Sequence, residues 1–285
     1  MQQTKIPLTD EEKANAQLLE ITDGMVIGVT DPNKLIGSLV LPEGITGIHK
    51  KAFLKCTALT RVVIPKNVTK IRPMAFADCI SLTELTVDSA NPVYCSENNI
   101  IYTKDKKCLV TAAGSLKSIA IPDSVTKICW GAFSGCTLLT KVEIPDSVTE
   151  ISSFAFIGCA FLVSVTIPAG ITNIGIFVFS GCTRLKTVII NAAGVKKIKA
   201  DVFKTIYDDD VHFTVKTAAV KAMLKKSCRS IRDEQITVEQ YNEQKAIIPV
   251  SDEKNSYEII SNKQLFEASD SLITKNIKAY KELAK

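Results

Sequence analysis

The sequence predicts an α/β repeat architecture, a right-handed solenoid of about seven 23-residue coils sharing a parallel sheet, closed by helical caps. Three observations predict it. A short apolar strand ending in Pro recurs at Leu41-Pro42, Ile64-Pro65, Ile121-Pro122, Ile144-Pro145 and Ile167-Pro168, with Pro spacings of 23, 57, 23 and 23. Phe keeps the same register at 53, 76, 133, 156, 179 and 203, and Cys at 56, 79, 136, 159 and 182. Leu follows at 59, 82, 139, 162 and 185. Val87-Asp88 and Ile190-Asn191 continue the 23-residue step without Pro, so the gap of 57 holds one more strand and an insertion of 11 residues. One such unit cannot bury its own apolar face, so neighbours must stack.

Each position in the unit L-x-x-V-x-I-P-x-x-V-T-x-I-x-x-x-A-F-x-x-C has a physical reading. In L-x-x-V-x-I the apolar residues after the Leu alternate, as in a strand with one buried face. Pro lacks an N–H and ends the ladder. V-T-x-I is a second extended pass, and a short helical turn then aims the Phe inward. Strands ~4.8 Å apart make a sheet of ~30 Å, with right-handed crossovers. The column cysteines form a spine of thiols, each a small apolar residue whose S–H can donate to a neighbouring loop carbonyl. Zinc requires ligands that converge tetrahedrally, whereas these run along one axis, and no C-x-x-C occurs. Cys95, Cys108, Cys129 and Cys228 are off-column. A Cys95–Cys108 disulfide is one pairing to weigh, but nine cysteines is an odd number, and a reduced state is the simpler reading.

The flanks divide the chain into 1–34, a helical cap; 35–213, the solenoid; and 214–285, a second cap with a terminal amphipathic helix. Thr9-Asp10-Glu11-Glu12 is a capping box for a helix through Leu19, with Ala14, Leu18 and Ile21 laid over the first coil. The inserted segment 91–114 carries strand-like NIIYT and CLVTA around Lys104–Lys107, a hairpin. Past Phe213 the period stops. Thr217–Cys228 reads as a helix and Gln235–Val238 as a closing strand. From 262 onward Leu265, Leu272, Ile273, Ile277, Tyr280 and Leu283 fall at helical spacing.

The unit resembles the BspA-like class of leucine-rich repeats, approximately L-x-x-I-x-I-P-x-x-V-T-x-I-G-x-x-A-F-x-x-C. IPDSVTKICWGAFSGCTLL (121–139) and IPAGITNIGIFVFSGCTRL (167–185) follow that pattern nearly throughout. The insertion is similar to the hairpin often interposed in the class. The resemblance implies a leucine-rich-repeat horseshoe, and it covers about two thirds of the chain. It also implies roles like those of bacterial surface or secreted proteins, including adhesins that bind host proteins. The opening MQQTKIPLTDEEK has no basic-then-apolar leader pattern.

Composition bounds the function. The chain is 46% hydrophobic and 23% charged, an ordered balance, and its formal charge of +5 is too even for a dedicated nucleic-acid binder. No run of about 18 apolar residues is present, so no helix for membrane insertion is expected. His49 and His212 are far apart in repeat register and pair with no nucleophile. Asp208-Asp209-Asp210 reads as a solvated turn, and Asn67-Val68-Thr69 is a glycosylation sequon. With no phosphate loop, dinucleotide fingerprint or zincin motif, neither cofactor, metal nor catalytic residue is assigned. What remains is the outward face of the strands. Arg61, Glu84, Thr86, Lys141, Glu143, Ser164, Thr166 and Thr187 are its candidate partner-binding residues, for a protein ligand met by a monomer. The alternative is an assembly protein that self-associates through the C-terminal helix.

Overall fold

The alternating segments form parallel strands in which residues of equal repeat phase stand opposite one another. The computed structural model describes residues 7–204 and 211–239, with the backbone of two further strands. Gly37–Val40, Leu59–Ile64 and Glu84–Val87 make one three-stranded sheet, with Arg61 opposite Glu84. Ser118–Ala120 pairs with Lys141–Glu143. Ser164–Ile167, Thr187–Ile190, His212–Val215 and Ile236–Val238 make a four-stranded sheet. Val62, Ile64, Val165 and Ile167 point inward and are buried, as the alternation requires. The V-T-x-I passes pair in a second parallel sheet through Lys127–Ile128, Glu150–Ile151, Asn173–Ile174 and Lys197–Ile198. The stack runs to about nine turns. The last two strands carry neither Pro nor the Cys column, and between them the helix Ala218–Ser227 follows the first strand in place of a second pass.

Coil rise and ring stacking coincide. Phe53 and Phe76 stack with centroids 5.1 Å apart, and Phe133, Phe156, Phe179 and Phe203 continue at 4.9, 5.3 and 5.4 Å. These spacings match the ~4.8 Å between strands, and each stacked pair adds ~0.5–1.5 kcal/mol beyond area burial. The buried thiols donate to the preceding coil. Cys79 Sγ reaches Phe53 O at 3.0 Å, and Cys159 and Cys182 reach Phe133 O and Phe156 O at 3.3 Å each. Cys95 donates instead to Thr103 O at 3.5 Å, and all nine cysteines are free thiols. The turn also repeats a positive φ, at Lys51, Met74, Gly131, Phe154, Phe177 and Asp201. Gly131 is required there twice over, because a Cβ would also collide with Met74.

The insertion is a three-stranded antiparallel meander, one strand more than the hairpin expected. Tyr94–Glu97, Ile100–Thr103 and Cys108–Ala112 form it, and the last pairs in parallel with Lys127–Ile128. The meander thereby joins the second sheet. Tyr94 and Ile101 pack into the core on its N-terminal side, whereas Ile100, Tyr102 and Leu109 pack into the core on the other. It is a septum with two apolar faces, so Ile100, Ile101 and Tyr102 of its middle strand are buried in succession. Its side chains also satisfy the strand edges it interrupts. Ser96 Oγ accepts from Val87 N at 2.9 Å, and Tyr94 Oη from Ile71 N at 3.0 Å. On the turn side Asp78 N still donates to Ser134 O, at 3.4 Å, so the turns step directly across.

The N-terminal helix spans Asp10–Gln17 with its capping box formed, but it covers the first coil with polar side chains. Glu12 and Asn15 are its buried residues, while Ala14 and Ile21 are exposed. Leu18 is the C-cap, and Leu19 already begins a hairpin, Leu19–Thr22 with Met25–Val29. The reason is the edge itself, a row of N–H and C=O groups that need partners more than an apolar lid. Asn15 Nδ2 donates to Ile36 O and Ser38 O at 2.6 and 2.7 Å, and Ser38 N donates to Glu11 Oε1 at 2.7 Å. Separately, Ala246–Pro249 and Tyr257–Ile260 form an antiparallel pair within a unit spanning Glu239–Lys285. The apolar stripe of 262–285 and Asp208–Asp210 lie outside the described residues.

Two outcomes test this core. Phe156→Ala should cost ~3–5 kcal/mol in chemical denaturation, as for other buried aromatics, and a loss under ~0.5 kcal/mol would contradict the ladder's role. The second concerns alkali. Burial, aided by the charge of Asp78, pushes the Cys136 thiol up to about 12. Burial and then the hydrogen bond with Cys182 push Cys159 well above its ordinary range. An unfolded thiol titrates near ~8.5. Below that pH both states hold the proton; above it the unfolded chain loses protons that the folded chain retains, so stability falls as pH rises. The urea midpoint should decline from about pH 9 to 11, and Cys136→Ala should flatten the decline even if it lowers the whole curve.

Candidate functional site

The strand alternation turns every candidate residue outward, but the structure divides them among three sheets. Arg61, Glu84 and Thr86 lie on the three-stranded sheet, before the meander. Lys141 and Glu143 lie beyond it on the two-stranded sheet, and Ser164, Thr166 and Thr187 on the four-stranded one. Ser164 stands opposite Thr187 in register. The meander is what interrupts the first row, with Asn99 Oδ1 accepting from Leu85 N at 3.4 Å.

The charged candidates already have partners. Arg61 Nε meets Glu84 Oε1 at 3.0 Å, and its other arm reaches Glu12 Oε1 at 3.2 Å and Ser38 Oγ at 3.1 Å. Glu12 is held below the ordinary carboxylate range, first by the amide of Thr9 and further by Ser38 and Arg61. Arg61 therefore ties the N-terminal helix to the strand face. Lys141 pairs with Glu143 at 2.5 Å. Both of these are exposed, and such pairs contribute only ~0–1 kcal/mol. Thr86 is half-buried and donates to Val62 O at 3.5 Å, whereas Ser164, Thr166 and Thr187 are exposed. Beside Lys141 and Glu143 a shallow cleft of about 430 Å³ is bounded by Ser118, Ala120, Leu116 and Asn98. The face is thus balanced in charge, small-residue in its C-terminal half, and backed by a rigid core.

His49 and His212 are both exposed. Among the described residues no three His, Cys, Asp or Glu side chains converge as metal ligands, and no helix is long and apolar enough to cross a membrane. Asn67 of the sequon is exposed, its amide donating to Glu43 O at 2.8 Å. The outer surface of the second sheet went unassigned in the sequence reading. It holds a cleft of about 630 Å³ lined by Trp130, Lys127, Glu150, Ser152 and Lys199. Its signal in the sequence is the lysines at the polar positions around V-T-x-I.

Parallel coils of this period, with apolar strand, Pro stop and buried Phe, define a leucine-rich-repeat protein. The chain belongs to the BspA type of that class: the model described as BspA type Leucine rich repeat region matches residues 33–100 and 106–232, in six copies. No curated protein matches the chain. Among solved structures, it is similar to a leucine-rich repeat protein of Eubacterium ventriosum, at 21% identity and TM-score 0.48, covering 62% of this chain and 65% of that one. A leucine rich cell surface protein of Faecalibacterium prausnitzii is 27% identical with TM-score 0.51, over 70% of this chain and 59% of its own. The pneumococcal vaccine antigen PcpA is 18% identical with TM-score 0.47, covering 72% and 68%. This chain spans less than two thirds of the Eubacterium and Faecalibacterium chains.

Proposed function

We propose that this chain is a non-catalytic binding module that receives a protein ligand on its strand face. The observation that carries the reading is the register. Outward side chains recur at equal phase on parallel strands, so they form rows whose identity is independent of the buried Val, Ile, Phe and Cys columns. The fully exposed residues on such rows vary with little cost to folding, which is the property a recognition surface needs. Because the sheets are divided, the proposal takes the stretch from Lys141 to Thr187 as the centre of recognition, with Arg61, Glu84 and Thr86 as a separate patch. Display at a cell surface, in the manner of an adhesin, is part of the proposal; it is supported by the description of the Faecalibacterium relative as a cell surface protein.

Charge balance predicts a partner read by shape and hydrogen bonds, with weak salt dependence. A ligand captured by the intact chain should bind Lys141→Glu and Thr166→Arg about tenfold more weakly, ~1.4 kcal/mol each, with the melting temperature nearly unchanged. Normal binding by both variants, with loss on deleting 91–114, would move recognition to the meander.

A further inference from the structure

We propose that the outer surface of the second sheet is a second binding surface, a groove for an acidic polypeptide segment that also carries apolar side chains. Three adjoining clefts make it. The first, about 630 Å³, holds Arg72, Lys127 and Lys199 with the single acid Glu150. The second, about 510 Å³, shares Lys199 and adds Lys196, Lys197 and Lys226 with no acid in its lining. A third, about 430 Å³, shares Lys226 and adds Lys204, Arg229 and Asp201.

Among the described residues, the linings of the second-sheet clefts and of the cleft that adjoins them at the end of the helix hold eight cations and two carboxylates, where the whole chain's formal excess is five. The rest of the chain is close to neutral, so the mild overall charge conceals a concentrated one. Both carboxylates are already matched, Glu150 by Lys127 at 3.0 Å and Asp201 by Lys204 at 3.8 Å. Among the described residues, Lys196, Lys197, Lys199 and Lys226 are exposed and have no carboxylate within ion-pairing distance. Glu150 answers Lys199 only beyond ion-pairing distance, and a row of lysines so sparsely compensated repels itself and is complemented by carboxylates spaced along an extended chain.

The groove's floor decides between kinds of anion. Half-buried Ile71 and Val110 supply its apolar surface, above the buried Ile151 and Ile174, and Trp130 stands at its edge, 43% exposed. Trp130, Phe154 and Phe177 stack along the coil axis at 5.6 and 5.4 Å, with Lys204 Nζ 5.3 Å from the Phe177 centroid, so only the middle ring has both faces covered by rings, and the ring edges form an apolar stripe. Phe154 and Phe177 hold that stripe from left-handed backbone, φ +61° and +53°, which bulky residues rarely adopt. A sulfated sugar chain leaves the apolar part of the groove unused. A peptide alternating acidic and apolar residues uses both, its carboxylates reaching the lysines and its other side chains the floor.

Trp130 is the only tryptophan of the chain, so its emission reports occupancy directly. The intact chain is titrated with a short synthetic peptide alternating Glu and Val, with heparin in a parallel arm, and Trp130 fluorescence is followed. The expected result is a saturable emission change with the peptide that weakens as salt rises. It should also weaken about tenfold in Lys199→Glu/Lys226→Glu, where two exposed attractions become repulsions. Lys141→Glu, on the strand face, should leave it unchanged, so this surface stands or falls apart from the strand-face proposal. Three results overturn it: no emission change and no binding heat with the peptide; saturation by heparin alone, which assigns the groove to an anionic glycan; or peptide binding that the double reversal does not weaken. Circular dichroism of the double variant, whose two side chains are exposed, confirms that it folds.

Discussion

Everything in this molecule depends on keeping one coil in register above the next. A single 23-residue unit has too little volume to exclude water from its own Phe, so each ring is buried by the equivalent ring of its neighbour. The spacing that strand pairing imposes, ~4.8 Å, is also the spacing at which aromatic rings stack. Hydrogen bonding and side-chain packing therefore ask for the same rise. The thiol column follows from this agreement, since a Cys is small enough to sit beside the stack and still reach the carbonyl of the Phe one coil below. Glycine enters where coils approach too closely for a Cβ, as at Gly131 against Met74.

That constraint explains what was legible in the sequence and what was not. Residues that touch their own copies must repeat, so Phe, Cys, Leu and the strand apolars announced the fold and its core. The N-terminal helix touches something different from itself, and there periodicity is silent. Asn15 and Glu12 are buried because they meet strand-edge amides and Ser38, a need that apolar spacing at Ala14, Leu18 and Ile21 does not register. His212–Val215 and Ile236–Val238 continue the sheet without Pro or Cys, so the columns ran out before the coils did. The candidate site was legible in orientation only. Each residue points outward, but its neighbours depend on where the meander enters and which carboxylate lies across the strand.

The two outer faces differ in electrostatic character. On the strand side, charges occur as pairs within or across adjacent strands, Arg61 with Glu84 and Lys141 with Glu143. On the second sheet the same alternation presents lysines near the end of the stack with little opposing charge. Both arise from the same rule, that an outward position is free to change, and they show how one scaffold presents surfaces suited to different ligands without altering its core.

The meander, finally, bears on how the molecule yields to load. With Tyr94 and Ile101 committed to one core and Ile100, Tyr102 and Leu109 to the other, the Phe ladder is not a single stack of rings but two, Phe53–Phe76 and Phe133–Phe203. A zipper of identical teeth, once opened at an end, runs freely. A bulkhead between compartments stops such a tear, so tension on the chain that strips the coils on one side leaves those on the other still closed.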